Sequence, residues 1–494
     1  MPSKAGVNDP PSAPRFVNRE REIAELRELA ERNEPALALL YGRRRVGKTY
    51  LLDHAWQSGR TFYFLAGDTT AEANKRELLR EIAPLMADPE DADPALFPSW
   101  RNVFRLLADL ATDAPFVVVL DEFQNLLKAD EDIASQLMAV WDRELRGRPL
   151  VLVACGSEVA TMEALESGAG PLYGRWRWAA RLRPFSYLDA GRMVPDRPPR
   201  EKALVYGILG GTPRFLATVR PGEDLAGRLV SSMLSPRGEL HIQLDRIIEQ
   251  EQGIRDPAEY RAVLTAIAGG ETLLQQIADA TGLAERPYVV RRAVKVLEDL
   301  ELVRRERDFD AHPKAAFRHR IADPAVRFWY RFVYPRRSRL ETGDAGAVWD
   351  RHVAPQLDEY MGKAFEEISR EALRLRHDRW GLPGARQWGR WEGRDRNRRS
   401  IEIDLVARLD DTRILTGEVK WSSRPIGPAV HRDLIRNLED LGRSGQGWAN
   451  DALNPDRTAG HVYVSAGGFT ESFRRIARDD WRIRLLDLTD LYGD

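Results

Sequence analysis

A chain of 494 residues with 43% hydrophobic and 31% charged residues is too long for one ordinary domain, so roughly two to four soluble globular domains are expected. The formal net charge of −1 provides no global field toward nucleic acid, so any such binding rests on local basic patches. One cysteine, Cys155, excludes an intrachain disulfide framework and points to a reducing compartment, and no apolar run approaches the ~20 residues of a membrane span. The opening MPSKAGVNDPPSAP has no apolar signal region, which predicts a disordered tail over 1–14 and a cytoplasmic location.

The ordered chain is expected to open with Asn18 capping an amphipathic helix, REREIAELRELAER, whose inner stripe is Ile23, Leu26 and Leu29. The apolar run PALALLY then leads into Gly42-Arg43-Arg44-Arg45-Val46-Gly47-Lys48-Thr49, a G-x-x-x-x-G-K-[ST] phosphate loop followed by a helical pattern from Tyr50 onward. Strand, glycine-bounded loop and helix start are the context in which backbone N–H groups curl around phosphate oxygens at a helix N-terminus. Lys48 is expected at the β- and γ-phosphates of ATP or GTP, and Thr49 on Mg²⁺.

The run PFVVVL is a strand buried on both faces and ends in Asp121-Glu122. A carboxylate at the end of a parallel strand lands where open α/β sheets bind ligands, so Asp121 is a candidate Mg²⁺ ligand and Glu122 the residue that orients attacking water. The strand LVLVAC carries Cys155 as a core residue and ends at Ser157, which either senses the γ-phosphate or caps the next helix. Arg175 and Arg177 fall in a Gly/aromatic loop. Either an arginine finger, acting in cis or from a neighbouring copy in a homo-oligomer, or a surface arginine stacked on tryptophan fits them.

Three helices are read over 257–268, 273–280 and 286–300, followed by two short strands, VRRERDF and AAFRHRI. Helix–turn–helix plus wing is a DNA-binding arrangement, and Arg286, Tyr288, Arg291, Arg292 and Lys295 on the third helix suit phosphate contact. A lever that touches no DNA fits equally well. Phe328, Trp329 and Phe332 read as interior, and a linker is expected over 321–350.

In the last third, a helix over 356–376 carries Glu366 at the edge of its apolar stripe, with Glu367 and Glu371 in a solvated row. Alternation in Ile401–Val406 places Glu402 and Asp404 on one face, and Glu418 and Lys420 share a face across Val419. If these strands pair, Asp404, Glu418 and Lys420 converge. Paired acids bind a hard cation such as Mg²⁺ or Mn²⁺, Glu366 would supply a third carboxylate, and Lys420 would position water or offset developing charge. A solvent-facing hairpin with a cross-strand ion pair is the plainer alternative.

The blocks FVNREREIAELRELA, YGRRRVGKTYLL, VVVLDEFQNLL, VACGS, PLYGR and GGTPRFL resemble, in order, the archaeal-type ATPase family of AAA+/STAND-like P-loop proteins over about 15–220. The resemblance implies ATP as nucleotide, Asn18 and Arg19 near the adenine, and Pro213 opening a lid contact. YMGKAFEEISREAL, IEIDLVA and GEVKW are similar to the nuclease-like C-terminal region often fused to such ATPases, of PD-(D/E)XK type. That likeness makes Glu366, Asp404, Glu418 and Lys420 metal and catalytic positions, with Ile403 standing where a proline is usual.

The expected architecture is multidomain α/β. It comprises a P-loop parallel-sheet ATPase (15–220), a helical lid and winged helix-turn-helix (221–320), the linker, and an α/β restriction-endonuclease-like domain (351–494). The function expected from this layout is ATP hydrolysis coupled to Mg²⁺-dependent cleavage of DNA, with RNA left open. The alternative is a STAND-like nucleotide switch that binds DNA or partners while its nuclease fold is inactive.

Overall fold

The computed structural model describes residues 17–56, 60–112, 114–145, 147–168, 170–249, 254 and 256–493. The tail expected at 1–14 lies outside them. The chain divides into two compact units, Phe16–Pro184 and, apart from the N-terminal residues, Phe185–Asp494. The break between the units at 184/185 falls inside the stretch expected as the ATPase domain, 15–220.

The first unit is a parallel sheet of β1 (Ala36–Tyr41), β2 (Arg60–Leu65), β3 (Phe116–Asp121), β4 (Leu150–Gly156) and β5 (Trp176–Arg181) in the order β2-β3-β4-β1-β5. Every residue of β1, β3 and β4 is buried, because helices cover both faces and neither face tolerates polar side chains. Alternate residues serve opposite cores. Leu37, Leu39 and Tyr41 join Phe116, Val118 and Leu120 on one side, while Ala36, Ala38 and Leu40 join Val117, Val119 and Cys155 on the other. Cys155 is fully buried, as expected of a core thiol. The tryptophan-rich stretch expected as a loop after Arg175 is instead the edge strand β5, whose half-exposed alternation gives only a weak strand signal.

Helix α1 (Glu20–Glu31) begins differently from expectation. Asn18 and Arg19 both have left-handed backbones (φ 59° and 78°), Arg19 is the cap, and the Asn18 side chain accepts from the Arg19 N–H at 2.7 Å. Helix α2 (Lys48–Ala55) starts directly from the glycine loop, with Gly47 left-handed at its cap.

The second unit contains α3 (Pro257–Gly269), α4 (Leu274–Ala280), α5 (Pro287–Asp299) and the antiparallel pair β6 (Val303–Glu306) and β7 (Arg318–Ile321), in the order anticipated. The inner face of α5 is Val289, Val290, Ala293, Val294 and Leu297; Val296 and Leu300 are only partly buried. Phe328, Trp329 and Phe332 are fully buried, as expected. Residues 321–350 differ from a linker. They form short helices from Pro324 onward and bury Val333, Leu340 and Val348 in the same core as α3 and α5. Arginines interspersed among these aromatics hide the burial in the sequence; Arg327 is held inside by Glu367 at 2.9 Å, and Arg336 donates to the Phe332 carbonyl at 3.0 Å.

The C-terminal sheet is mixed. It holds β8 (Ala385–Arg394), β9 (Ser400–Leu409), β10 (Ile414–Lys420), β11 (Thr458–Ser465) and β12 (Ile483–Asp487) in the order β12-β11-β10-β9-β8, with β8, β9 and β10 antiparallel and the remainder parallel. Helix α6 (Leu357–Leu375) packs on one face and α7 (Ala429–Arg443) on the other.

Gly417 of β10 is required by close approach: a Cβ there would lie 2.2 Å from the Val462 carbonyl oxygen of β11. Gly417→Ala is expected to destabilise the second unit by about 1–3 kcal/mol through overpacking, read as a lower melting midpoint of its transition.

Candidate functional sites

The phosphate loop joins β1 to α2 and closes on itself. Gly42 has φ 154°, and a Cβ there would meet the Leu182 carbonyl oxygen at 2.3 Å. Lys48 is buried, and its ammonium donates to the carbonyls of Gly42 at 2.8 Å and Arg43 at 3.3 Å, which holds the charge inside the loop. Arg43, Arg44, Arg45 and Val46 form the loop interior, with only Val46 packed into the core, and Tyr50 stacks against His54 at 4.1 Å.

Strand β4 lies between β1 and β3, so the phosphate loop and Asp121 are two strand spacings apart, about 10 Å. Helix α2 reaches back across that gap, and the Thr49 hydroxyl lies 3.5 Å from the Asp121 carboxylate. Two oxygens at that separation suit one Mg²⁺, whose bonds are about 2.1 Å. Tyr63 donates to the same carboxylate, and burial followed by that bond pushes its phenol well up. Asp121 also accepts from the Glu122 N–H at 2.9 Å.

Glu122 has a left-handed backbone (φ 53°) that turns its side chain toward the end of β4. Ser157 donates to it at 2.7 Å, and the Gln124 amide donates to both Glu122 and Ser157. The next helix is preceded by Glu158, so Ser157 does not cap it. Sequence reasoning missed Gln124; it follows the acidic pair in an ordinary helical pattern that carries no chemical signal.

Arg175 does not face the loop as a free finger. Its guanidinium forks onto both oxygens of Asp142, at 2.9 and 2.7 Å. Arg177 pairs with Glu34 at 3.4 Å. The Arg19 guanidinium bonds the Arg183 carbonyl at 2.5 Å and Glu22 at 3.2 Å. Pro213 opens the short helix Pro213–Leu216 in the second unit.

In the C-terminal sheet, β8 pairs Gly389 with Val406 and Trp391 with Ile403, so Asp404 and Leu405 on β9 stand opposite the single residue Arg390. This bulge switches the face of the strand. Ile401 and Ile403 enter one core, whereas Leu405, Ala407 and Leu409 enter the other. Carboxylate oxygens of Glu366, Glu402 and Asp404 lie within 4.8 Å of one another. Glu402 was placed on the right face by alternation but was not assigned to the site, because it is partly exposed and outside the D…ExK spacing.

Lys420 donates to Asp404 at 3.0 Å and to Glu418 at 2.6 Å, and the Val419 N–H donates to Asp404 at 3.0 Å. The strands therefore converge as the hairpin expectation requires. Lys363 bridges Glu366 (3.0 Å) and Glu402 (2.7 Å), and Arg390 lies 3.8 Å from Glu366. Burial and then the charge of Asp404 push the Glu418 carboxyl up to about 8, and the same two causes raise Glu366. Burial alone would raise Asp404, but Lys420 and the Val419 N–H outweigh it and hold Asp404 low. The two carboxylates beside Lys420 thus titrate as a pair in which Glu418 keeps the proton. Glu367 and Glu371 differ from the expected solvated row. Glu367 is clamped by Arg304 (2.7 Å) and Arg327 (2.9 Å), and Glu371 accepts from Tyr206.

Residues 16–219 match the family model of the ATPase domain predominantly from Archaea. This region is an ATPase domain of the archaeal type. Residues 329–430 match a second family model, described as archaeal and bacterial proteins of unknown function. An uncharacterised protein of Methanocaldococcus jannaschii is 27% identical over 439 residues, covering 86% of this chain and 92% of that protein. Among solved structures, a Walker-type ATPase of Pyrococcus abyssi aligns with TM-score 0.49 and 24% identity over 64% of this chain and 96% of its own. The ORC2 protein of Aeropyrum pernix, solved as ADPNP-ADP complexes, aligns with TM-score 0.41 and 14% identity over 66% and 96%. Among the described residues no helix is long and apolar enough to cross a membrane.

Within the ATPase domain, Glu122→Gln is expected to retain ATP binding and lower the hydrolysis rate by about 10²-fold or more, measured as phosphate release beside nucleotide titration. For the C-terminal carboxylates the linkage sign follows from the raised Glu418 pKa. The folded state binds the proton more tightly, so the stability from this group is complete below the unfolded value and lost as pH rises toward about 8. Glu418→Gln is therefore expected to raise the melting midpoint of cation-free protein at pH 8 relative to wild type, with the gap closing at pH 4.5.

Proposed function

We propose that the chain hydrolyses ATP in its first unit and uses the C-terminal carboxylate group to cleave nucleic-acid phosphodiester bonds with Mg²⁺ or Mn²⁺. The observation that carries this reading is the approach of Glu366, Glu402 and Asp404 to within 4.8 Å, with Glu418 and Lys420 on the adjoining strand. The order helix, three antiparallel strands, helix, strand around these residues resembles the PD-(D/E)XK arrangement.

The oxygen-only donor set fits a hard divalent cation. Such a cation, when bound, polarises the phosphodiester and makes water a better nucleophile. Asp404 supplies the permanent charge, because Lys420 and the Val419 N–H keep it ionised. Lys420 stays protonated: burial alone would lower its pKa, but Asp404 and Glu418 raise it. It therefore offsets charge developing on the phosphate oxygens rather than accepting a proton from water. Glu418 must release its proton to join the donor set, so cation binding strengthens as pH rises toward 8. In the ATPase site, Lys48 and the loop N–H groups would hold the triphosphate, Thr49 and Asp121 its Mg²⁺, and Glu122 the attacking water.

One observation favours the second reading, a nucleotide switch with an inert nuclease fold. Lys363, Lys420 and Arg390 already sit against the four carboxylates and balance them without any cation. ATP-dependent assembly in gel filtration, lost in Lys48→Ala and accompanied by no cleavage, would mark that reading. The winged-helix reader role makes a separate demand: DNA binding should weaken on Arg291→Ala, since Arg291 is exposed on α5 whereas Arg292 is paired with Glu259 at 2.7 Å.

The deciding assay incubates the full chain with plasmid and single-stranded DNA or RNA, with either metal, with and without ATP. Metal-dependent cleavage is expected, reduced at least about 10²-fold by Asp404→Ala. Equal cutting by Asp404→Ala, or none by wild type in any condition, rejects the nuclease reading.

A further inference from the structure

A polar cleft of about 440 Å³ lies inside the second unit, between the α3–β7 region and the face of the C-terminal sheet that carries α6. Its walls include Gly269 at the end of α3, Gly270 and Thr272 after it, Arg318 and Arg320 of β7, and Arg331. Its opposite side includes Lys363, Glu366, Arg370, Arg390 and Glu402, so the cleft opens directly onto two of the three clustered carboxylates.

We infer that this cleft admits one nucleic-acid strand, and that Arg331, with Arg318 on the same cleft wall, holds the strand's phosphates on the way to Glu366 and Glu402. The inference rests on the nuclease reading above and specifies its substrate as single-stranded, whether a free strand, a flap or a frayed end.

Three features support it. The first is charge. Seven cationic side chains line the cleft against five carboxylates, a local excess in a chain whose net charge is −1. Anionic ligands are drawn to such a pocket more strongly than to open surface, because its walls exclude water.

The second is availability. Arg327 is fixed on Glu367 at 2.9 Å and Arg320 on Glu306 at 3.1 Å, but the carboxylate contacts of Arg318 are longer, 3.4 Å to Asp308 and 3.6 Å to Glu392. Arg331 has no carboxylate partner among the described residues. It makes only long bonds, to the Gly269 carbonyl at 3.3 Å and to Gln356 at 3.5 Å. A phosphate oxygen offers Arg331 a charge-assisted, two-pronged contact that these neutral acceptors do not.

The third is size. A cavity of this volume is at the scale of a small ligand, about 300–1,000 Å³. One or two nucleotides of a single strand fit, whereas a duplex, whose major groove alone is about 12 Å wide, does not.

The test is fluorescence anisotropy of the full chain with labelled single-stranded DNA, single-stranded RNA of the same sequence and blunt duplex DNA, in EDTA so that binding is read without cleavage. At least one single strand is expected to bind at least tenfold more tightly than the duplex. Arg331→Glu should weaken that binding at least tenfold. Arg331→Ala should reduce the slope of log affinity against log salt by about 0.7, the share of one phosphate contact on a single strand. Equal loss with DNA and RNA assigns the contact to the shared backbone; binding of one alone assigns the sugar.

Arg318→Gln provides the second variant if Arg331→Glu lowers the melting midpoint, and it should weaken binding in the same direction. Unchanged affinity in the Arg331 variants, duplex binding as tight as single-strand binding, or no binding of either single strand overturns the inference. Retained, Arg331-dependent binding without cleavage would reject only the nuclease activity. Cleavage that persists at wild-type rate in Arg331→Glu would reject only the cleft.

Discussion

A carboxylate removed from water must be given a cation or a set of donors, or it takes up a proton. Both candidate sites of this chain are arranged around that constraint. Asp121 is 6% exposed at the end of β3 and is satisfied by Tyr63, Thr49 and a backbone N–H. Asp404 is equally buried and is satisfied by Lys420 and the Val419 N–H, while Glu418 beside it holds a proton. Asp121 sits at the end of its strand, whereas Asp404 sits at the bulge within β9.

The two sites meet the constraint in different ways. In the ATPase sheet, the interposed strand β4 separates the phosphate loop from Asp121, and α2 brings Thr49 back across the gap. The space above β4 is occupied by a small hydrogen-bonded ring of Glu122, Gln124 and Ser157, which fixes the orientation of the second acid. In the C-terminal sheet the carboxylates are crowded rather than separated, and lysine and arginine side chains interleave with them. Burial and then the charge of Asp404 raise Glu366 and Glu418, and long cationic side chains reach in from α6, β8 and β10 to limit the effect.

Much of this was legible because it follows from short-range rules. The glycines and Lys48 mark the phosphate loop, continuous β-branched runs mark strands buried on both faces, and alternation through Ile401–Val406 marks a strand with acids along one side. What was hidden depends on tertiary partners. The edge strand β5 lacks a continuous apolar run, so Trp176 and Trp178 read as loop. The Arg175 fork on Asp142 joins residues far apart in sequence, and the helices over 321–350 are disguised by arginines such as Arg327, whose partner Glu367 lies on another element. Glu367 reads as solvated on a helical wheel, yet Arg304 and Arg327 come to it from other elements. Helical and strand periods report which side of an element a residue occupies, but not what faces that side.

The extra residue in β9 has a further consequence. Asp404 and Leu405 share one opposite neighbour, and the strand changes its inward face at that point. Removing one residue there would give a straighter, fully laddered strand, with every downstream side chain rotated to the other face unless the pairing shifted to compensate. The more regular sheet would bring together different carboxylates from those gathered here. The irregularity is thus the local defect that lets one ribbon serve both a core and a cluster of acids, and shortening the ribbon by a single position would separate those two roles.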